Sequence, residues 1–391
     1  MTFYIQQGYG KGSKIADVAK NGHLGGVILS PGDEDPAKLG ETARAIARLG
    51  LQARLDPQSY IYAPEPAGTA NNHPAHGLDL ELSWHATPKQ VTRAVTAVRR
   101  ANETLGLADR WLTPTCWLAS FENLWTPLSL SLAAAAADDW GEGRTIVSVA
   151  VSEDAFADWR AVDVWLDAIT TLDVAGFYLL IDRKSSAYPP NPWNVTHLAN
   201  ILRVVYRLGE LNGYEVVWGY SDIEGLVGLA AGASHVASGW HYSLRQFNRG
   251  KWIRKPGGGA APTPRALVGR LWAPLKAADE VQYILEKPEL ASTFTRGERD
   301  LFRAKPLSSF TLGEAQVQYL STLARNAKII EELGGTGKRI ATVLDKLEAA
   351  DRRYQAIEDS GIVLDPRYRS RLRSLRLAVE QLVASEKILL E

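Results

Sequence analysis

The chain has 391 residues, 46% of them hydrophobic, with 44 Lys+Arg against 44 Asp+Glu. That size calls for two domains unless one is a barrel, and the charge balance gives no global drive toward nucleic acid or membrane. A single cysteine, Cys116, excludes an internal disulfide and a cysteine-based zinc cluster, and every apolar run is far shorter than the ~18 residues of a membrane span.

The balance hides an asymmetry. Residues 247–391 hold 25 basic and 18 acidic side chains, leaving 19 and 26 before them. The opening MTFYIQQGYGKGSK has neither the charged nor the apolar region of a signal peptide, so the expected compartment is cytoplasmic, with no membrane partner.

From the first residues onward, short β-branched or aromatic runs alternate with helical stretches, the pattern of a parallel sheet covered by helices. Strands are expected at 3–7, 26–30, 52–56, 111–117, 146–152, 176–182, 215–220 and 235–239. Eight strands in unbroken βα alternation predict an α/β fold, a (β/α)8 TIM-type barrel over 1–246, with a doubly wound open sheet as the alternative. The seventh crossover, EGLVGLAAGA, is short, and its small residues would let a helix sit close to the strands. The stretch from about 59 to 87 is too long for an ordinary βα loop and reads as a cover over one barrel mouth.

After Phe247 the composition changes. NRGKWIRKPGGGAAPTPR is basic, Gly/Pro-rich and non-periodic, so 247–274 reads as a linker or arm. Apolar residues at helical spacing then predict helices at about 312–333, 337–358 and 366–389, within a helical C-terminal domain over 275–391.

Barrel active sites form at the C-terminal ends of the strands. Alternation along the third strand turns Gln52, Arg54 and Asp56 inward, and along the sixth it turns Tyr178 and Asp182 inward. An inward arginine with two strand-end carboxylates is unusual in interiors normally filled by branched apolar side chains. Either Arg54 pairs internally with Asp56 or Asp182 and only closes the barrel, or the three form a working pocket. Asp33, Asp35 and Asp222 read as helix caps.

Gln6, Tyr60, Trp117, Tyr178, Trp240, His241 and Arg245 are the expected substrate contacts, since aromatic faces beside carboxylates suit sugars and nucleobases. Arg245 near the last two strand ends also fits a phosphate. The HPAH pair has no carboxylate pattern to complete a metal site, so no metal and no cofactor is expected. Arg249, Lys251, Trp252, Arg254 and Lys255 combine charge with an aromatic ring and form either a solvated linker or a nucleic-acid arm.

The segment VVWGYSDIEGLVGLAAGASHVASGWHYSLR resembles the seventh strand, helix and eighth strand of tRNA-guanine transglycosylase-like barrels. The resemblance spans about 30 residues and implies a barrel with base exchange on nucleic acid as an inherited possibility. That family's cysteine-rich zinc site and its Asp-Ser-Gly-Gly pocket motif are absent here, so no catalytic residue is carried over.

Together these features predict an enzyme that cleaves or exchanges a glycosidic bond to a sugar or nucleobase. Asp56 and Asp182 would be nucleophile and acid/base, with Arg54 holding one of them ionised. The alternative is a non-catalytic barrel in a multi-protein assembly, with the tail binding a protein partner or a second copy and the arm touching nucleic acid. A phosphate-sugar lyase or isomerase is a third reading.

Overall fold

The computed structural model describes every residue except Met1, Glu81, Ser186 and 254–261. All eight expected strand regions are extended: β1 (Phe3–Gln6), β2 (Leu24–Leu29), β3 (Gln52–Leu55), β4 (Trp111–Leu112) and β5 (Trp117–Leu118), β6 (Thr145–Ser152), β7 (Gly176–Asp182), β8 (Glu215–Trp218) and β9 (His235–Ser238). They pair in the order β3-β2-β1-β9-β8-β7-β6-β4, every ladder parallel, with β5 also on β6. The edges β3 and β4 meet without forming a ladder, so the sheet is a nearly closed α/β barrel.

The fourth expected strand is split into β4 and β5 for a local reason. Pro114 has no N–H to give a neighbouring strand. Thr113 still donates to the Ile146 carbonyl at 3.0 Å, but the Thr115 N–H turns to the Ser59 hydroxyl at 2.7 Å.

The crossovers are α1 (Lys14–Ala19), α2 (Pro36–Arg48), α3 (His73–His76), α4 (Pro88–Thr104), α5 (Thr126–Trp140), α6 (Trp159–Ile169), α7 (Val195–Tyr206) and α8 (Glu224–Ala231). Asp35 caps α2 as its sequence suggests, accepting from the Lys38 N–H at 3.0 Å. Every residue of α8 is buried. A Cβ on Gly225 would fall 2.9 Å from Val236, and one on Gly228 would fall 2.7 Å from the Trp218 ring, so these glycines set the close helix–strand packing.

A helix that is apolar all round needs cover on both sides. That cover comes from the last helices of the tail, which comprises α9 (Gly250–Ile253), the antiparallel pair β10 (Arg265–Val268) and β11 (Ala273–Lys276), α10 (Gln282–Leu285), α11 (Arg296–Arg303), α12 (Leu312–Glu331), α13 (Thr336–Asp359) and α14 (Pro366–Glu386). Helices α12, α13 and α14 all touch α8, and α14 lies along α7. The last three helices fall where the sequence periodicity puts them.

The β10–β11 hairpin was not expected, and it begins inside the span read as a linker. Ala266, Leu267 and Val268 are buried there. The Gln318 amide on α12 bridges the Leu267 N–H and carbonyl, at 2.8 and 2.9 Å. Among the described residues no helix is long and apolar enough to cross a membrane.

Candidate active site at the barrel mouth

Asp56 follows β3 directly and has no solvent exposure. Its Oδ1 accepts from the Gln58 N–H at 3.0 Å, and its Oδ2 accepts from the Tyr60 hydroxyl at 2.9 Å and the Tyr178 hydroxyl at 3.4 Å. The Tyr178 hydroxyl lies 3.1 Å from Gln6 Oε1. Burial pushes the Asp56 carboxyl up to about 6, against the stabilising effect of these donors.

The neighbouring backbone is arranged for this. Gln58 sits at φ +53°, in the left-handed region, which turns the chain back over its own strand end. Its amide donates to Ser30 and accepts from the Gly32 N–H and from His73 Nε2. Gly219 leaves room for the Tyr178 ring, since a Cβ there would fall 2.5 Å from it.

Asp182 ends β7 and remains partly exposed. Its Oδ1 accepts from the Arg249 N–H at 3.1 Å, and the Trp117 indole stands beside the carboxylate. Burial raises it to about 6 as well, opposed by Arg249 and Trp117. Two strand-end carboxyls therefore titrate close to neutral pH.

The segment expected to be a flexible arm instead straps the mouth. The Phe247 carbonyl accepts from the Arg183 N–H at 2.9 Å, and the Trp252 carbonyl accepts from the Thr69 N–H at 3.1 Å. The strap thus runs from the end of β7 to the loop after β3. The Arg249 guanidinium is enclosed by the carbonyls of Tyr60, Ile61, Pro64 and Pro66. Arg249 is buried against the barrel loops rather than facing solvent, which corrects its reading as part of a nucleic-acid arm. Trp252 packs edge-on against Tyr60. Arg254 and Lys255 lie outside the described residues.

Lys251, between Arg249 and Trp252, points toward Tyr220. Its Nζ stands 4.7 Å from the centre of the Tyr220 ring and 3.8 Å from that of Trp252, with the Tyr220 hydroxyl 3.5 Å away. Burial lowers its affinity for a proton to about 8, while Asp33 and Asp56 pull the other way. No sequence signal placed this lysine in the barrel, because it follows the last strand inside a Gly/Pro-rich stretch.

Arg54 is not where the sequence reading put it. It pairs with Glu215 at the start of β8, where Arg110 and His235 also meet that carboxylate. Its guanidinium lies over the Tyr4 ring at 5.3 Å. The cluster occupies the opposite end of the barrel from Asp56, because the long side chain runs down the interior toward the strand starts. Arg54 therefore holds neither Asp56 nor Asp182 ionised.

Three other expected contacts are tied into local packing, two of them buried. Trp240 is fully buried, and its indole N–H donates to the Tyr9 carbonyl at 2.8 Å. His241 meets the same carbonyl at 3.1 Å. Arg245 stacks on Tyr319 at 3.4 Å and donates to Gly239, Trp240 and Tyr188, leaving no free edge for a phosphate. Asp222 caps no helix. It accepts from Tyr319 and Arg371. His73 and His76 hold the loop after β3, through Tyr62 and Gln58 and through the Glu34 carbonyl.

No family model matches the chain, and no curated protein matches it. Among solved structures, a nitroalkane oxidase from Streptomyces ansochromogenes aligns over 98% of this chain and 96% of its own, at 13% identity and a TM-score of 0.24. A likeness that weak carries no argument about fold or activity. The class that the fold and the site define is a nearly closed parallel α/β barrel with a polar, aromatic-lined mouth.

Proposed function

We propose that the chain is a barrel enzyme that cleaves or exchanges a glycosidic bond to a sugar or nucleobase by acid–base chemistry at the strand ends. The reading treats residues 1–246 as a (β/α)8 barrel, 275–391 as a helical domain, and the protein as cytoplasmic. One relationship carries it: Asp56, directly after β3, and Asp182, at the end of β7, are both pushed up to about 6 by burial at one mouth. A carboxyl titrating near neutral pH gives up and regains a proton within one cycle.

The partly exposed Asp182 is the group placed to protonate a leaving oxygen or nitrogen, with Trp117 beside it as a stacking face. Asp56, held by Tyr60, Tyr178 and Gln58, is the second carboxyl, which activates water or the incoming group.

A panel of nitrophenyl glycosides and nucleosides tests this. Turnover of at least one class is expected, and Asp182→Asn is expected to lower kcat by about 10²–10⁴, the usual contribution of a positioned acid or base. No turnover across the panel, or wild-type rates in both Asp56→Asn and Asp182→Asn, would overturn it.

A further inference from the structure

We infer that the Lys251 ε-amino group is a nucleophile for a carbonyl substrate, a small aldehyde or the open-chain form of a sugar, and captures it as an imine. Nζ lies between two aromatic faces, 4.7 Å from Tyr220 and 3.8 Å from Trp252. Asp33 and Asp56 act on it only at a distance, without an ion pair among the described residues. The strap that carries it is pinned at both ends, so the amine is fixed over the strand ends rather than swinging in solvent.

Burial leaves about a tenth of this amine uncharged at pH 7. With a midpoint of about 8, roughly two orders of magnitude more of it is neutral at pH 7 than of an ordinary lysine. The neutral amine is the form that attacks carbonyl carbon, and desolvation raises its share against the pull of the two ring faces toward the ammonium form.

The step balances simply. The Nζ lone pair attacks the carbonyl carbon, and the C=O pair moves to oxygen, which takes up a proton to give a carbinolamine. Nitrogen then forms C=N as that oxygen departs, so the two amine hydrogens and the carbonyl oxygen leave as one water. The Tyr220 hydroxyl, 3.5 Å from Nζ and held neutral by burial, is placed to relay protons between nitrogen and oxygen. Asp33 and Asp56 are the carboxyls whose charge reaches Nζ, and they exchange these protons onward.

This inference shares its location with the proposed function but does not need glycoside turnover, and its test reads a covalent bond directly. The full-length protein is incubated with D-ribose or glyceraldehyde and sodium cyanoborohydride, and the reduced adduct is mapped by peptide mass spectrometry. Lys346, on α13 and also lowered in proton affinity by burial, is the internal control. The expected result is one dominant adduct on Lys251, forming at least about tenfold faster than on Lys346 and absent in Lys251→Arg.

An adduct spread evenly over lysines, no adduct, or undiminished total labelling in Lys251→Arg would overturn the inference. The site map of the unaltered protein decides the question even if the variant folds poorly. Loss of the adduct result with intact glycoside turnover sinks this inference alone, and the reverse sinks only the glycosidic reading.

Discussion

Arg371, on the last helix, donates to Asp222 in the turn between β8 and α8 at 2.7 Å, with both side chains only 2% exposed. The same guanidinium meets Glu224 at the start of α8 at 2.6 Å. Tyr220 and Asp222 sit at φ +52° and +45°, backbone that a non-glycine residue holds only when its surroundings over-determine it. The tail therefore does more than cover α8. It fixes the turn that presents Tyr220 to the mouth.

Removing that cation leaves two buried carboxylates facing each other. Arg371→Met should lower unfolding stability by about 3–5 kcal/mol, the usual result of breaking a buried pair from one side. Urea unfolding checks this. A loss below about 1 kcal/mol would mean the carboxylates find other partners.

Glu215 gives a pH signature at the other end of the barrel. Burial pushes its pKa up, but Arg54, His235 and Arg110 outweigh burial and hold the group below its ordinary value. The folded value thus lies below the unfolded one, so its stabilisation is present above the ordinary glutamate range and is lost as pH falls through the folded value. Glu215→Gln should melt lower near neutrality, with a shallower decline in acid, and should leave turnover at the far mouth within about twofold. Thermal melts across the acid range, with rates at pH 7, decide it.

Asp56 has the opposite sign. Its folded value of about 6 lies above the ordinary aspartate value, so the fold holds its proton more tightly than the unfolded chain does. That contribution is present at low pH and fades as pH rises toward and through 6. Asp56→Asn should remove this loss, so the stability of the variant relative to wild type increases between pH 4 and 7. Equal slopes for the two proteins would contradict the buried placement.

Gly219 tests the packing beneath the site. A methyl 2.5 Å from the Tyr178 ring forces the ring to move, and with it the hydroxyl near Asp56. Gly219→Ala should destabilise by about 1–3 kcal/mol, as overpacking does, and depress turnover further than stability alone explains. Chemical denaturation beside kinetics separates the two effects.

The strands, the three long helices and the inward alternation that selects Asp56, Tyr178 and Asp182 were legible because periodicity is a local property of the chain. Long-range partners were not. Arg54 stands two residues before Asp56, yet its charge is answered by Glu215 at the start of β8, which only the folded barrel brings near. Composition misled most at 247–253. A stretch rich in Gly and basic residues reads as linker, but Arg249 and Lys251 are turned into the mouth by a strap anchored through backbone groups, which leave no side-chain signal. The β10–β11 hairpin was hidden in the same way, although the short apolar runs ALV and APL flank its turn.

The proposed chemistry requires two strand-end carboxyls held near neutral pH at one mouth. Carboxyl-carbon NMR of aspartate-labelled protein, titrated with pH and assigned through Asp56→Asn and Asp182→Asn, measures it directly. The account predicts two resonances with midpoints near 6, each lost in one variant. Midpoints at the ordinary aspartate value of about 4 for both would contradict it.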